Sequence, residues 1–353
     1  MLIRSKIEME ITPESINIVD PDRVCMEIIE ELGAGYSNKH FVNENIVPKE
    51  AQLIKTKTGG INFSHDELKK MSLAELWNIH GQAISGVKEE KEASMLDLKI
   101  EILYRELTGC SLCPHNCKVN RLIGETGQCK VDTTARTGDI FIHYSEEISP
   151  SLIIELEGCS MNCIFCQKPY LLNPDSSRGE LKDFLWDEIM QHIDEVRAIS
   201  FAGGNPDHHV LAILEFLHNA PQGFNLPVCW NHNLFMGEKL IKLLDGIVDI
   251  YIADFKFSNS CGFELSGVKN YYDKALKSLE CMIHQDSLII VRHLLVPGHI
   301  ECCTLPVLKT LKKFEKLILN VVTQYSPLFL RESEKHSELN RYITSEELQK
   351  ITI

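Results

Sequence analysis

The sequence predicts an α/β fold built on a parallel sheet. Three observations carry that prediction. From residue 150 onward, short apolar, β-branched runs alternate with helical stretches, and the pattern supplies six strands. The runs are continuously apolar, as strands buried on both faces are. Alternation of strand and helix implies right-handed crossovers and parallel pairing. At 353 residues the chain can hold this domain over 149–353 with smaller parts before it.

Residues 1–105 read as a mostly helical N-terminal extension. SHDELKKMSLAELW contains two S-x-x-E capping boxes, Ser64 with Glu67 and Ser72 with Glu75. Leu96, Ile100, Leu103 and Leu107 recur at helical spacing and mark one apolar face. The charged run KEEKE, Lys88 to Glu92, reads as a solvated helix surface or a linker. Residues 106–148 form a small cysteine-rich module. In the domain that follows, SLIIELEG is a strand and LKDFLWDEIMQHI a helix. RAISFAGG, PVCWN, VDIYIADFKF and SLIIVRHLLVPG are strands. Each precedes its own helix: HHVLAILEFLHN, GEKLIKLLD, YYDKALKSLECMI and PVLKTLKKF. KLILNVVTQY is the sixth strand. Six such strands suit an open doubly wound sheet or a partial barrel, which differ in curvature, and the sequence leaves both open.

In either architecture, ligands sit at the C-terminal ends of the strands. The polar oddities of this sequence gather there. Three cysteines follow the first strand, and Gly203, Gly204, Asn205 and Pro206 follow the second. Asn231 and Asn233 end the third, Asp254 and Lys256 the fourth, His293 and the PGHIECC turn the fifth, and Tyr325 the sixth.

The net charge of −14 argues against a broad nucleic-acid-binding face. No apolar run reaches the roughly 18 residues of a membrane span, and MLIRSKIEMEITPE lacks the apolar core of a secretory leader. A cytoplasmic location is the expectation. In such a chain the 13 cysteines point to metal binding more than to disulfides. Seven fall in two groups; Cys25, Cys229, Cys261, Cys281, Cys302 and Cys303 are scattered.

EGCSMNCIFCQ places Cys159, Cys163 and Cys166 in a C-x3-C-x2-C pattern. Three thiolates can hold three irons of a [4Fe–4S] cluster and leave the fourth iron open to a small chelating ligand. A zinc site would want a fourth protein ligand. The second group, Cys110, Cys113, Cys117 and Cys129, is a closed set of four that suits zinc or a [4Fe–4S] cluster. Arg121 beside it reads as a structural partner or a substrate contact.

C-x3-C-x2-C with Phe165 before the last cysteine resembles the signature of the radical S-adenosylmethionine superfamily. The resemblance covers about residues 105–347. It lies closest to the pyruvate formate-lyase activating enzyme-like branch, the glycyl-radical-enzyme activators and their relatives. It implies a partial (β/α)6 barrel and an open iron that binds S-adenosylmethionine. It also implies reductive cleavage to a 5′-deoxyadenosyl radical. Gly203-Gly204-Asn205-Pro206 is similar to the family's GGEP-type segment, with Asn for Glu. WNHN, DFK and RHLLVPG are similar to the activators' D-T-N, D-L-K and R-H-V-V-P-G segments. By resemblance, Asn231, Asn233, Asp254, Lys256 and His293 join the GGNP segment around the cofactor. Asn231 stands where the activators have an Asp that helps bind a monovalent cation. A flavodoxin or ferredoxin-type reductant is implied.

The remaining candidates belong to chemistry at the same face. Cys302 and Cys303 read as thiol hydrogen donors, substrate contacts or ordinary small residues, and Tyr325 as a relay or a packed phenol. His208 and His209 read as surface residues at a helix start. Small-molecule or peptide modification, with residues 1–105 shaping the pocket, is the leading expectation. Activation of a glycyl radical enzyme is the alternative, and a two-cluster electron carrier the reading from another class.

Overall fold

The computed structural model describes residues 4–5, 51–83, 93–144, 147–175, 179–331 and 334–351. The KEEKE run and Cys25 lie outside the described residues. The sheet is built from β1 (Arg4–Ser5), β2 (Thr137–His143), β3 (Ser151–Leu156) and β4 (Ala198–Gly203). It continues through β5 (Val228–His232), β6 (Ile250–Asp254), β7 (Leu288–Leu294) and β8 (Leu317–Val322). The strands pair strictly in chain order. All pairs from β3 to β8 are parallel.

That order decides the curvature. A doubly wound sheet reverses its strand order at a switch point. Here there is no reversal, so successive right-handed crossovers turn the same way, and the sheet curls as a partial barrel. The outer edge of β3 is taken by antiparallel β2, which pairs Ile140 with Ile154 and Ile142 with Leu152. The sequence reading passed over β2, which lies inside the span expected as the cysteine module.

Each strand buries two different faces, as the alternation of side chains requires. Ile199, Phe201, Trp230, Tyr251, Ile289, Val291 and Leu319 join the large core under the helices. Cys229, Ile250, Ile252 and Ile290 form a separate cluster on the other, concave face. Asn231, Asp254, Arg292 and Asn320 share that concave face by their period-two spacing. There the register pairs Asp254 with Arg292 and Arg292 with Asn320.

The helices are α1 (Gln52–Thr58), α2 (His65–Lys70), α3 (Leu73–Ala83) and α4 (Met95–Glu106), then α5 (Trp186–Met190), α6 (Val210–His218) and α7 (Glu238–Leu244). After these come α8 (Gly262–Ser266), α9 (Tyr271–Met282), α10 (Leu305–Leu311) and α11 (Ser345–Gln349). Both expected capping boxes form, and a third, Ser94 with Asp97, starts α4. Leu96, Leu103 and Leu107 are buried as predicted, with Ile100 at the margin.

Two expectations are corrected. LKDFLWDEIMQHI is not one helix: a 3-10 turn at Leu181–Asp183, α5 and a second turn at Ile193–Glu195 replace it. Trp186 stacks on Phe216 at 4.4 Å and donates to its carbonyl at 3.1 Å, so tertiary packing overrides the helical pattern. The described part of the extension is anchored in part below the sheet. The Gln52 amide donates to Asp249 before β6, its side chain donates to the Asp286 carbonyl before β7, and the Ala51 amide donates to Asn225 before β5. Those anchors sit at the N-terminal ends of the strands. Second, His208 and His209 are buried.

Candidate functional site

The loop after β3 begins with Gly158 at φ +81°, a conformation that favours glycine. It carries Cys159, Cys163 and Cys166, and its backbone is held from three sides. The Asn162 and Ile164 amides donate to the Ser266 and Leu265 carbonyls at the end of α8, at 2.9 and 3.0 Å. The Arg331 amide donates to the Ile164 carbonyl at 2.8 Å. The Arg331 guanidinium donates to the Cys163 carbonyl at 2.6 Å and to Asn162 Oδ1 at 2.9 Å. His115 Nε2 meets the Ser160 carbonyl at 2.8 Å.

The sulfur environment suits an anionic cluster. Burial pushes the Cys159 and Cys163 thiols up to about 12, so bare thiolates are disfavoured there. Lys256 acts on both sulfurs in the opposite sense, and Arg331 also acts on Cys163. The Met161 amide and Asn233 Nδ2 donate to Cys159 Sγ at 3.4 and 3.6 Å. Three soft donors, nearby cations and amide donors are what a [4Fe–4S] cluster with one open iron needs. Phe165 packs edge-on against Phe257 and Tyr325, at 5.8 and 5.6 Å.

Gly203 and Gly204 earn their place by close approach of backbone. Gly203 sits at φ +101°. A Cβ on Gly204 would lie 2.2 Å from the Gly158 carbonyl oxygen. The pair therefore seats the end of β4 against the start of the cysteine loop. Asn205 is buried and donates from Nδ2 to Asp207 Oδ2 at 3.0 Å and to Asn233 Oδ1 at 3.3 Å. Asp207 also accepts from Trp230 Nε1 at 2.8 Å. Burial raises the Asp207 carboxyl to about 6 in spite of these donors. Asn205 and Asn233 thus lie in one hydrogen-bonded chain that ends on Cys159.

Asp254 is the hub of the concave face. It accepts from Lys256 Nζ and from Arg292 Nε, both at 2.7 Å. Burial opposes its ionisation, but Arg292 and Lys256 overcome that and hold the carboxyl well below its usual range. Arg292 Nη2 also donates to Asn231 Oδ1 at 2.8 Å. A guanidinium therefore bridges Asn231 and Asp254, the pair whose counterparts in the activators help bind a cation. Arg292 lies 3.6 Å from Glu147, which also accepts from Asn320 at 3.0 Å. The sequence reading took Arg292 only as part of its segment and passed over Glu147, Asn320 and Arg331. Inward period-two spacing within β8 was the available signal for Asn320; Glu147 and Arg331 sit on irregular chain and carried none.

His293 and Tyr325 spend their polar atoms on the protein. The His293 ring contacts the Phe255 carbonyl at 2.7 Å through Nδ1 and Thr304 Oγ1 at 3.0 Å through Nε2. The Tyr325 hydroxyl donates to the Leu339 carbonyl at 3.0 Å. Cys303 is buried and its sulfur accepts from the Ser258 amide at 3.0 Å, whereas Cys302 is exposed.

The four-cysteine module is fitted directly beneath this loop. Cys110, Cys113, Cys117 and Cys129 line one cavity together with Arg121 and His208. The Arg121 side chain is buried and donates to the Asp132 and His208 carbonyls, which makes it a structural tie. This contact explains the burial of His208. His209 Nε2 meets the Glu157 carbonyl at 2.5 Å, and burial lowers its imidazole to about 4.

No protein-family model matches the chain. The chain is 33% identical over 311 residues to the uncharacterized protein MJ0674 of Methanocaldococcus jannaschii, over 81% of this chain and 88% of that one. It is 25% identical over 108 residues to a Haemophilus influenzae protein named "Putative glycyl-radical enzyme activating enzyme", over 29% of this chain and 40% of that one. A solved structure of anSMEcpe with bound AdoMet and Cp18Cys peptide aligns at TM-score 0.40 and 15% identity, over 55% of this chain and 54% of that one. The [FeFe]-hydrogenase maturase HydG aligns at TM-score 0.39 and 11% identity, over 81% of this chain and 61% of that one.

Proposed function

We propose that the chain is an enzyme of the radical S-adenosylmethionine superfamily acting on a small-molecule or peptide substrate, a reading that the Haemophilus match supports. The observation that carries this reading is the clamped three-thiol loop at the C-terminal ends of the strands, one donor short of a closed site. When bound, a reduced [4Fe–4S] cluster with S-adenosylmethionine supplies a 5′-deoxyadenosyl radical that removes a hydrogen atom from the substrate.

The protein's part is to hold, orient and shield. Cys159, Cys163 and Cys166 would ligate three irons. Lys256 and Arg331 would offset the cluster's negative charge. Gly203, Gly204, Asn205 and Pro206 would present backbone and amide groups to the methionine end of the cofactor. Asn233 and Asn205 would orient one another there. Asp254, Lys256 and Arg292, with the Asn231 amide, would form a charged and polar set for a zwitterionic ligand, and His293 would position the end of β7. Cys110, Cys113, Cys117 and Cys129 would bind a second metal, zinc or a [4Fe–4S] cluster. A flavodoxin or ferredoxin-type protein would supply the electron. A glycyl radical enzyme as the substrate is the second reading, favoured by the Haemophilus match.

The test is anaerobic reconstitution with iron and sulfide, reduction with dithionite, and chromatography for 5′-deoxyadenosine. The Cys159→Ala, Cys163→Ala, Cys166→Ala variant runs beside the wild type. Product from the wild type alone is expected. A fully loaded, reduced wild type that makes none, with or without candidate peptides and metabolites, would favour the electron-carrier reading instead.

A further inference from the structure

We propose that Cys261, His299 and Cys302 bind a zinc ion, with Glu338 orienting the histidine. The ligand atoms of these three residues all lie within 4.8 Å of one another. Zinc bonds of about 2.0–2.3 Å, arranged tetrahedrally, place neighbouring donors roughly 3.3–3.8 Å apart. His299 Nδ1 and Cys302 Sγ are already 3.4 Å apart. Two thiolates and an imidazole form a soft donor set that suits zinc and disfavours magnesium or calcium. Two thiolates also neutralise the charge of the ion.

The local chain is built to bring these donors together. Cys261 immediately precedes α8, in the segment after β6. His299 and Cys302 come from the turn after β7, where Ile300–Thr304 is a single π-helical turn. Such turns are rare and gather at functional sites. The two segments are tied by serine side chains: the Ser258 and Ser260 hydroxyls both donate to the Cys302 carbonyl. Within the turn itself the Cys303 amide donates to the His299 carbonyl at 2.9 Å.

The outer contacts approach those of a metal-bound histidine. His299 Nε2 is buried without a hydrogen bond and faces Glu338 Oε1 at 3.5 Å, and His336 Nδ1 lies 3.3 Å from the same oxygen. A carboxylate on the far ring nitrogen fixes the tautomer and the ring plane of a ligating imidazole. Gly298, at φ +78°, makes room for this: a Cβ there would lie 2.9 Å from Glu338 Cγ. The Cys303 sulfur accepts from the Ser258 amide at 3.0 Å and also meets the Cys261 sulfur, a contact that zinc ligation of Cys261 would replace. Cys302 faces solvent, so the fourth zinc position would be open to water or to a ligand.

This inference does not rest on the radical chemistry. It does place the ion at one end of α8, whose other end clamps the three-cysteine loop. Five residues at 1.5 Å of rise separate those ends by roughly 7.5 Å. A metal-held Cys302 is also unavailable as a free hydrogen donor.

The experiment uses the full chain, reconstituted with iron and sulfide, with and without added Zn2+. Iodoacetamide labelling of Cys302 is followed by mass spectrometry. Zinc is counted by elemental analysis in a Cys110→Ser, Cys113→Ser background, alone and with Cys302→Ser or His299→Ala added. We expect Zn2+ to slow Cys302 labelling in the wild type and each substitution to remove one equivalent of zinc. Glu338→Gln should weaken zinc binding by about 10- to 100-fold. Equal labelling of Cys302 with and without Zn2+, or unchanged zinc content in both substitutions, would overturn the proposal. The wild-type labelling arm needs no variant to fold.

Discussion

A single methyl group at Gly204 has nowhere to go, because the Gly158 carbonyl oxygen occupies its place. We expect Gly204→Ala to cost about 1–3 kcal/mol, the range for overpacking in a tight site. Urea unfolding checks the stability, and iron analysis should show poorer loading of the Cys159 loop. The GG pair was legible as a site where backbone comes close. That its partner is the cysteine loop itself was not, because the contact joins the ends of two strands. Asp254 shows the same division. Its position at a strand end was plain in DFK, but its guanidinium partner comes from the neighbouring strand through register. His208 and His209 misled the reading because a polar pair at a helix start normally meets solvent. Here Arg121, from a separate module, ties down His208, and the Glu157 carbonyl meets the His209 ring.

Among the elements, α4 was legible from its apolar spacing, and its buried lysine was not. Lys99 Nζ donates to the Leu243 and Asp245 carbonyls at 3.0 and 2.9 Å and faces His80 Nε2 at 3.1 Å. It thereby satisfies carbonyls at the end of α7 that a helix leaves without partners. Burial lowers its ammonium to about 8, against the favourable pull of Asp245. The unfolded chain keeps its proton up to about pH 10.4. Between those values the unfolded state binds more protons, so this group makes stability rise with pH. Urea midpoints of the wild type should climb from pH 8 to pH 10 relative to Lys99→Met, which lacks the group. A lysine in a helical pattern reads as surface by default. Only the packing of α4 along α7 turns it inward.

At the scale of the whole molecule, the four-cysteine module and the barrel act as one support for the site. A Cβ on Gly158 would lie 2.8 Å from the Cys129 carbonyl oxygen, and the Gly237 amide donates to the Leu112 carbonyl at 2.8 Å. Disturbing the module should therefore reach the Cys159 loop. We expect Cys110→Ser with Cys113→Ser to lower the melting temperature by several degrees and to reduce iron at Cys159, Cys163 and Cys166. Unchanged iron there, measured after correcting for the module's own metal, would show the two centres to be independent. No helix of the described residues is long and apolar enough to cross a membrane.

By itself the sequence determined the number of the parallel strands and their alternation with helices, the capped helices, and the three-thiol loop with its missing fourth donor. Those are near-neighbour properties: periodicity, caps and spacing are written within a few residues of one another. Tertiary structure alone decided the curvature of the sheet and the guanidinium between Asn231 and Asp254. It alone decided the burial of His208 and His209 and the meeting of Cys261, His299 and Cys302. Each of these depends on strand register or on the direction in which a crossover returns, and both follow from packing the whole chain around one core.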